Sequence, residues 1–203
     1  MSAEPRSSDT RPYRQRKRAE QVGQTRQRII DAAVHLHTTV GPANTTVSAL
    51  AEHAGVTRLT VYRHFSDLDS LFEACSAQWA ALHPAPDPSA WRMIKDVGER
   101  ARHALTELYG WYRDHGDELL PIYRDLEAMP PSAQQAAQAA LESFADGLVA
   151  GSGLRGHARR RLRAAAGHVV SFWTWRSLTA EQGLDNTEAA ELAASWLVSA
   201  TRR

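Results

Sequence analysis

Three groups of residues in this chain have types and spacings suited to chemistry. They are a run of arginines near the start, nine histidines with a single cysteine, and a mixed polar stretch from Thr46 to Phe65. The basic run contains Arg6, Arg11, Arg14, Arg16, Lys17 and Arg18, followed by Arg26 and Arg28. Residues 1–65 carry ten basic and five acidic side chains, and residues 66–203 carry fourteen and eighteen, so the net charge of +1 conceals a basic front. The planar fork of Arg suits phosphate. A solvated basic tail and a nucleic-acid-binding front both fit this charge. The histidines offer no metal site. His35 and His37 stand two apart, which on a helix turns their side chains roughly 200° from each other. No histidine pair at helical spacing is joined by a carboxylate in a metal-binding pattern. The chain has no Gly-rich phosphate loop and no Gly-x-Ser-x-Gly elbow. A lone cysteine, Cys75, excludes an internal disulfide framework and a four-thiolate metal site. It lies on an apolar helical face and reads as a small buried hydrophobe. No metal, cofactor or catalytic activity is expected.

The stretch from Thr46 to Phe65 is more specific. It reads as two short helices joined at Gly55, which permits a positive backbone angle in the turn. Ala51 is small enough to let the helices approach, and Val47, Leu50, Val56, Val61 and Phe65 form a buried wedge. That is the pattern of a helix-turn-helix, whose second helix lies in the DNA major groove. Successive helical residues rotate by about 100°. With Val61 and Phe65 turned inward, Leu59, Thr60, Tyr62 and Arg63 face away from the core, and Arg58 sits in the first turn. Arg suits guanine O6 and N7, and Leu and the Thr methyl suit the thymine methyl. Tyr62 and His64 can hold phosphate, which sets register rather than sequence. A tight helical hairpin without DNA affinity has the same buried pattern.

Other elements must position that stretch. The chain holds 34 Ala against 15 Val plus Ile, a balance that predicts an all-α protein. Residues 1–23 lack apolar periodicity and read as a flexible basic arm. A first helix is predicted from Thr25, with Ile29, Ile30, Ala33, Val34 and His37 on one stripe, and Gly41-Pro42 ends it. Thr45 or Thr46 caps the second helix and Thr57 starts the third. A fourth begins near Ser66 in a capping-box pattern. His83 to Pro88 holds three prolines in five residues and breaks the chain. Beyond it the spacing predicts helices over about 89–115, 118–128, 132–150, 157–179 and 187–200, about nine helices in all. Gly116 is the expected cap of the first of these, and Asn186-Thr187 the cap of the last.

Taken together, Arg28-Ile29-Ile30-Asp31-Ala32-Ala33, Thr45-Thr46-Val47, Leu50-Ala51, Ala54-Gly55-Val56 and Val61-Tyr62-Arg63-His64-Phe65 resemble the TetR family of transcriptional regulators. The resemblance covers residues 25 to about 80. It implies a helix-turn-helix DNA-binding domain over 24–68 and a ligand-binding and dimerisation domain over 69–203. It also implies a two-fold dimer on a palindromic DNA operator. By that carry-over Thr46 and Ser48 approach the backbone or a base. The helix from Thr57 through Arg63 to His64 reads DNA, with Arg58, Leu59 and Thr60 near bases and Tyr62 and His64 on phosphates. Many family members have Lys at the start of the fourth helix, where this chain has Leu68. The basic arm from Arg11 to Arg18 is a candidate replacement for that phosphate contact.

The family's small-molecule pocket is expected within residues 89–150, with Trp111, Tyr112, Tyr123, Met129 and Phe144 as candidate wall residues. Such a lining suits an apolar or aromatic effector. Each of these residues is equally at home in an ordinary core. Ala165, Val169, Phe172, Leu192 and Trp196 lie at helical spacing and form either a dimer seam or an intramolecular helix pair. The expected function is a ligand-responsive regulator, a repressor released from its operator by an inducer. Two alternatives remain: an all-helical small-molecule-binding protein or enzyme, and an architectural DNA binder without sequence preference. No stretch approaches the ~20 apolar residues of a membrane span. With no apolar signal-peptide core at the start, a cytoplasmic protein without membrane contact is expected.

Overall fold

The computed structural model describes residues 10–201, with side chains from Tyr13 onward. Arg6 and the side chain of Arg11 therefore lie outside the described residues. The chain folds as α1 (Thr10–Thr39), α2 (Val47–His53), α3 (Arg58–His64), α4 (Leu68–Leu82), α5 (Pro88–Trp91), α6 (Val97–Arg124), α7 (Pro131–Val149), α8 (Gly156–Val169), α9 (Phe172–Arg176) and α10 (Asn186–Thr201). Short 3-10 turns at Pro42–Asn44 and Leu126–Ala128 follow α1 and α6. No strand occurs among the described residues.

Two apolar clusters organise these helices. In the smaller, Ile29, Ile30 and Ala33 of α1 meet Leu50 and Ala51 of α2 with its cap Ala54, Val61 of α3, Phe65, and Leu71 and Cys75 of α4. In the larger, α6 packs along α10, where Ala101 and Ala104 are buried with Ala189, Ala190, Ala193 and Ala194. Small side chains let these two helices lie close. Around them Trp91, Leu108, Phe144, Leu148, Leu162 and Leu197 complete the core. α4 serves both clusters. Its first half carries Leu71 and Cys75, and near its end Trp79 packs on the larger core and donates from Nε1 to Glu118 Oε2 at 2.6 Å. A boundary between 68 and 69 thus falls at the head of a helix shared by both units.

Several expected elements differ from those observed. Residues 10–23, expected as a flexible arm, continue α1, which starts at Thr10 rather than Thr25. The helices expected over 89–115 and 118–128 are the four-residue α5 and one long α6, and the split of the helix expected over 157–179 into α8 and α9 makes ten α-helices among the described residues rather than nine. Gly116 does not cap α6. The edge of the Trp175 ring lies where a Cβ at Gly116 would sit, so close packing accounts for the glycine. The helix expected over 157–179 breaks after Val169, because tertiary donors take its last carbonyls. Tyr109 Oη donates to Val169 O at 2.9 Å, Tyr112 Oη to Val170 O at 2.7 Å, and Thr174 Oγ1 to His168 O at 2.6 Å. Asp185 rather than Asn186 or Thr187 caps α10, accepting from the backbone N–H groups of Thr187 and Glu188, while the Glu188 carboxylate accepts from the backbone N–H of Asp185. Asn186 Oδ1 instead accepts from Trp175 Nε1.

One buried charge belongs to this frame. Arg100 is 1 % exposed and donates to the carbonyls of Ile94, Lys95, Leu148 and Ala150. It ties the end of α7 to the turn before α6 and satisfies carbonyls that a helix end leaves open.

Candidate functional site

The short helices α2 and α3 are set by local chemistry. Thr46 and Thr57 each occupy an N-cap, their hydroxyls accepting from Ala49 N at 3.1 Å and Thr60 N at 3.2 Å. Gly55 turns the chain at φ +64°, and Val56 N bonds back to Ala51 O. Val61 and Phe65 are buried, so the opposite face of α3 is forced outward. Thr46, Ser48, Thr57, Arg58, Leu59, Tyr62 and Arg63 are exposed, with Thr60 and His64 partly so. All nine residues expected to touch DNA therefore fall on α2, α3 or their caps. Leu59 is 69 % and Tyr62 50 % exposed, an unusual price for a rigid, well-capped helix unless something covers it. The Thr46 and Thr57 hydroxyls are engaged as caps and fix the helix starts. Two basic residues missed as neighbours of this face lie on α1. Arg26 stacks its guanidinium 4.8 Å from the centre of the Phe65 ring, and Arg28 approaches Gly55. Spacing along a single helix could not reveal either contact.

Behind this face, between α1, α4, α6 and α7, lies a cavity of about 200 Å³. Its wall includes Val34, His37, Phe72, Cys75, Trp79, Trp111, Leu119, Ile122, Tyr123 and Ala137. Of the five expected pocket residues, the structure brings Trp111 and Tyr123 to this wall. Tyr112 is fully buried in the core beneath them. Phe144 packs on Trp91, and Met129 faces a separate hollow beside Pro42 and Thr46. His37 and Cys75, expected as plain stripe residues, are wall residues. His37 stacks on Phe72, and its Nδ1 lies 3.6 Å from Cys75 Sγ. Burial depresses the His37 pKa to about 4 and raises that of Cys75 to about 11, so both are neutral near pH 7 and the thiol is a poor nucleophile. No cluster of three or more potential metal ligands occurs among the described residues.

The floor of the cavity connects to the reading face. Leu119, Ile122, Tyr123 and Leu126 line it from the end of α6 and the turn after it. Between them, Arg124 donates to Val40 O at 2.9 Å, and the Asp125 carboxylate accepts from Ala43 N at 3.1 Å. The Arg124 guanidinium, hydrogen-bonded to Asp125, and the Ala43 N–H hold this carboxyl below the usual range. Gly41, at φ +94°, leaves no room for a Cβ against Asp125 and Arg124. The clamp therefore holds the turn that leads into α2.

The expected dimer residues divide. Val169 and Phe172 are buried within the protomer, and Ala165 is partly covered. Leu192 and Trp196 are each 37 % exposed, and Trp196 shares an outer hollow with Trp173 and His168.

Capped helices, a glycine turn and an uncovered second helix define a helix-turn-helix DNA-binding domain joined to a larger helical unit. Residues 29–75, which hold the helix-turn-helix, match the family model for bacterial regulatory proteins of the tetR family. The HTH-type transcriptional regulator AcrR of Shigella flexneri is 40 % identical over 57 residues, covering 28 % of this chain and 26 % of that protein. SrpR of Pseudomonas putida is 42 % identical over 69 residues, covering 34 % of this chain and 32 % of its own. TtgW of the same species, an uncharacterized HTH-type transcriptional regulator, is also 42 % identical over 69 residues and is covered to 50 %. The matched segment thus spans a quarter to a half of the length of these relatives. Across the fold, the crystal structure of the transcriptional regulator FadR from Bacillus subtilis in complex with stearoyl-CoA is similar at a TM-score of 0.56 and 20 % identity. The match covers 87 % of this chain and 99 % of that one. No described helix is long and apolar enough to cross a membrane.

Proposed function

We propose that this protein is a ligand-responsive transcriptional repressor that binds a palindromic operator as a homodimer in the cytoplasm and is released by a small molecule in the cavity. The observation that carries this reading is the outer face of α3, where Arg58, Leu59 and Tyr62 stand uncovered on a capped helix. Arg58, Leu59 and Thr60 approach bases. Tyr62, Arg63 and His64 hold phosphates, and Ser48 contacts the backbone from α2. Two copies of α3 must stand roughly 34–36 Å apart to enter successive major grooves. The exposed Trp173, Leu192 and Trp196 supply an apolar surface for that two-fold contact. The exposed basic residues Arg14, Arg16, Lys17 and Arg18 on the first turns of α1 lie along the DNA backbone.

The effector acts through the end of α6. A molecule that spreads Ile122 and Tyr123 displaces Arg124 and Asp125. That shift moves the Val40–Ala43 turn and the start of α2. The coupling is reciprocal, so operator DNA weakens effector binding by the same factor. The FadR neighbour is in complex with stearoyl-CoA, which supports a protein of this fold taking up a small molecule with a long apolar chain.

The test is a titration of the protein against DNA from its own upstream region at fixed near-physiological salt with excess unrelated DNA, followed by footprinting. Tight protection of a short inverted repeat is expected. Binding that the competitor erases, with no repeat recovered by selection from random DNA, overturns the regulator reading. Deletion of residues 1–18 should weaken binding and flatten its salt dependence. Unchanged affinity and slope remove the arm from the interface.

A further inference from the structure

We propose that the cavity between α1, α4, α6 and α7 takes a neutral, flat aromatic molecule of one or two rings bearing a hydrogen-bond acceptor, which receives the indole N–H of Trp111. The inference rests on the reading of this cavity as the effector site and assigns its chemistry.

Size comes first. An apolar cavity of roughly 150 Å³ holds a benzene ring, and drug-sized ligands need about 300 Å³ or more. At about 200 Å³ the space suits a substituted or fused ring. Shape follows from the wall, where Phe72, Trp79, Trp111 and Tyr123 offer ring faces and edges.

Charge comes next. The wall holds no Asp, Glu, Lys or Arg. His37, its one readily titratable group, stays uncharged near pH 7 because it is buried. An ion entering here would leave water without a counter-charge, which is strongly unfavourable.

Most polar groups of the wall are already engaged, with His37 Nδ1 and the Ser76 hydroxyl both against the Cys75 thiol. Thr38 Oγ1 donates to Val34 O and Cys75 Sγ to Phe72 O. Trp79 Nε1 donates to Glu118, and the Tyr123 hydroxyl is hydrogen-bonded to that of Tyr112. Trp111 Nε1 is different: it is buried and has no acceptor. A buried donor without a partner is rare in a native fold. An acceptor atom on the ligand is the partner it lacks.

The test is calorimetric titration of the DNA-free protein at pH 8 with four matched probes: quinoline, naphthalene, N-methylquinolinium and 2-naphthoate. Quinoline is expected to bind about tenfold more tightly than naphthalene, the worth of one net hydrogen bond. The cation and the anion are expected to bind about a hundredfold more weakly than quinoline. Trp111→Phe should erase the preference for quinoline over naphthalene while both still bind. Ala137→Phe, which fills the cavity from α7, should abolish both. Circular dichroism reports folding of each variant, and the matched probes on unaltered protein read the proposal even where a variant fails to fold. Ions binding as tightly as quinoline, or a preference for quinoline that survives Trp111→Phe, overturns the assigned chemistry. If no probe binds to protein that still protects its operator, the assignment falls and the regulator reading stands. Probe binding with the expected ranking by a protein without operator affinity keeps the assignment and overturns the regulator reading.

Discussion

The outer face of α3 and the cavity behind it are built in opposite ways. Every residue of the reading face comes from one stretch of about twenty, positioned by two threonine caps, one glycine turn and a wedge of five apolar side chains. The cavity draws its wall from residues as distant as Val34, Cys75, Trp111 and Ala137. The face leaves apolar and cationic groups in water, where a partner can reach them. The cavity hides neutral groups and leaves one donor unspent. A surface that reads a polyanion and a pocket that takes a neutral molecule can therefore be perturbed separately, provided the frame between them holds.

The largest effect should come from breaking that frame. Arg100→Leu leaves four carbonyls without their shared donor and is expected to cost about 3–4 kcal/mol of stability, read by thermal or denaturant unfolding. Operator affinity of the folded fraction should not change. Wild-type stability in this variant would show that water satisfies those carbonyls equally well.

Next is the buried histidine. Folding lowers the His37 pKa from 6.5 to about 4, so the unfolded chain binds its proton more readily between those values. Stability is therefore full above pH 6.5 and declines as pH falls toward 4. The loss from pH 7.5 to pH 5 is about 2 kcal/mol. His37→Phe should flatten the curve over that window, and a slope that persists would assign the effect to other groups.

The third prediction concerns the face. Arg58→Ala is expected to cost roughly 1–2 kcal/mol of operator affinity, read by fluorescence anisotropy, with the unfolding midpoint unchanged. A matching loss of stability would show that face and frame are not separable. The smallest effect should be a gain. Leu68→Lys, at the exposed head of α4, should tighten DNA binding severalfold and steepen the salt slope by about 0.9. No gain would place Leu68 away from the phosphates.

The same contrast explains how much could be read from the chain. Helix starts at Thr46 and Thr57 follow from a side-chain oxygen reaching a backbone N–H three residues on, so their spacing carries them. The fourth helix, expected to start in a capping box at Ser66, is capped one residue later by Asp67, which accepts from Ser70 N. Gly116 misled because its reason lies in Trp175, about sixty residues away. The break at Ser171 was invisible because the donors that release α8 are Tyr109 and Tyr112 on another helix. Trp111 and Tyr112 are neighbours in the chain, yet about 100° of helical rotation sends one to the cavity and the other to the core. Phe144 and Met129 were plausible wall residues by type, and the packing of α5 on α7 turned Phe144 to Trp91 instead.

The sequence by itself determined the all-helical class, the helix-turn-helix and the set of side chains that face away from it. All three depend on interactions within a few residues, and helical periodicity projects those onto a line. Only the tertiary structure decided which aromatics enclose space, which donor is left without an acceptor, and that Arg124 and Asp125 hold the turn before α2. Those outcomes depend on how long helices pack around one another. The spacing of apolar residues along any one helix does not record that arrangement.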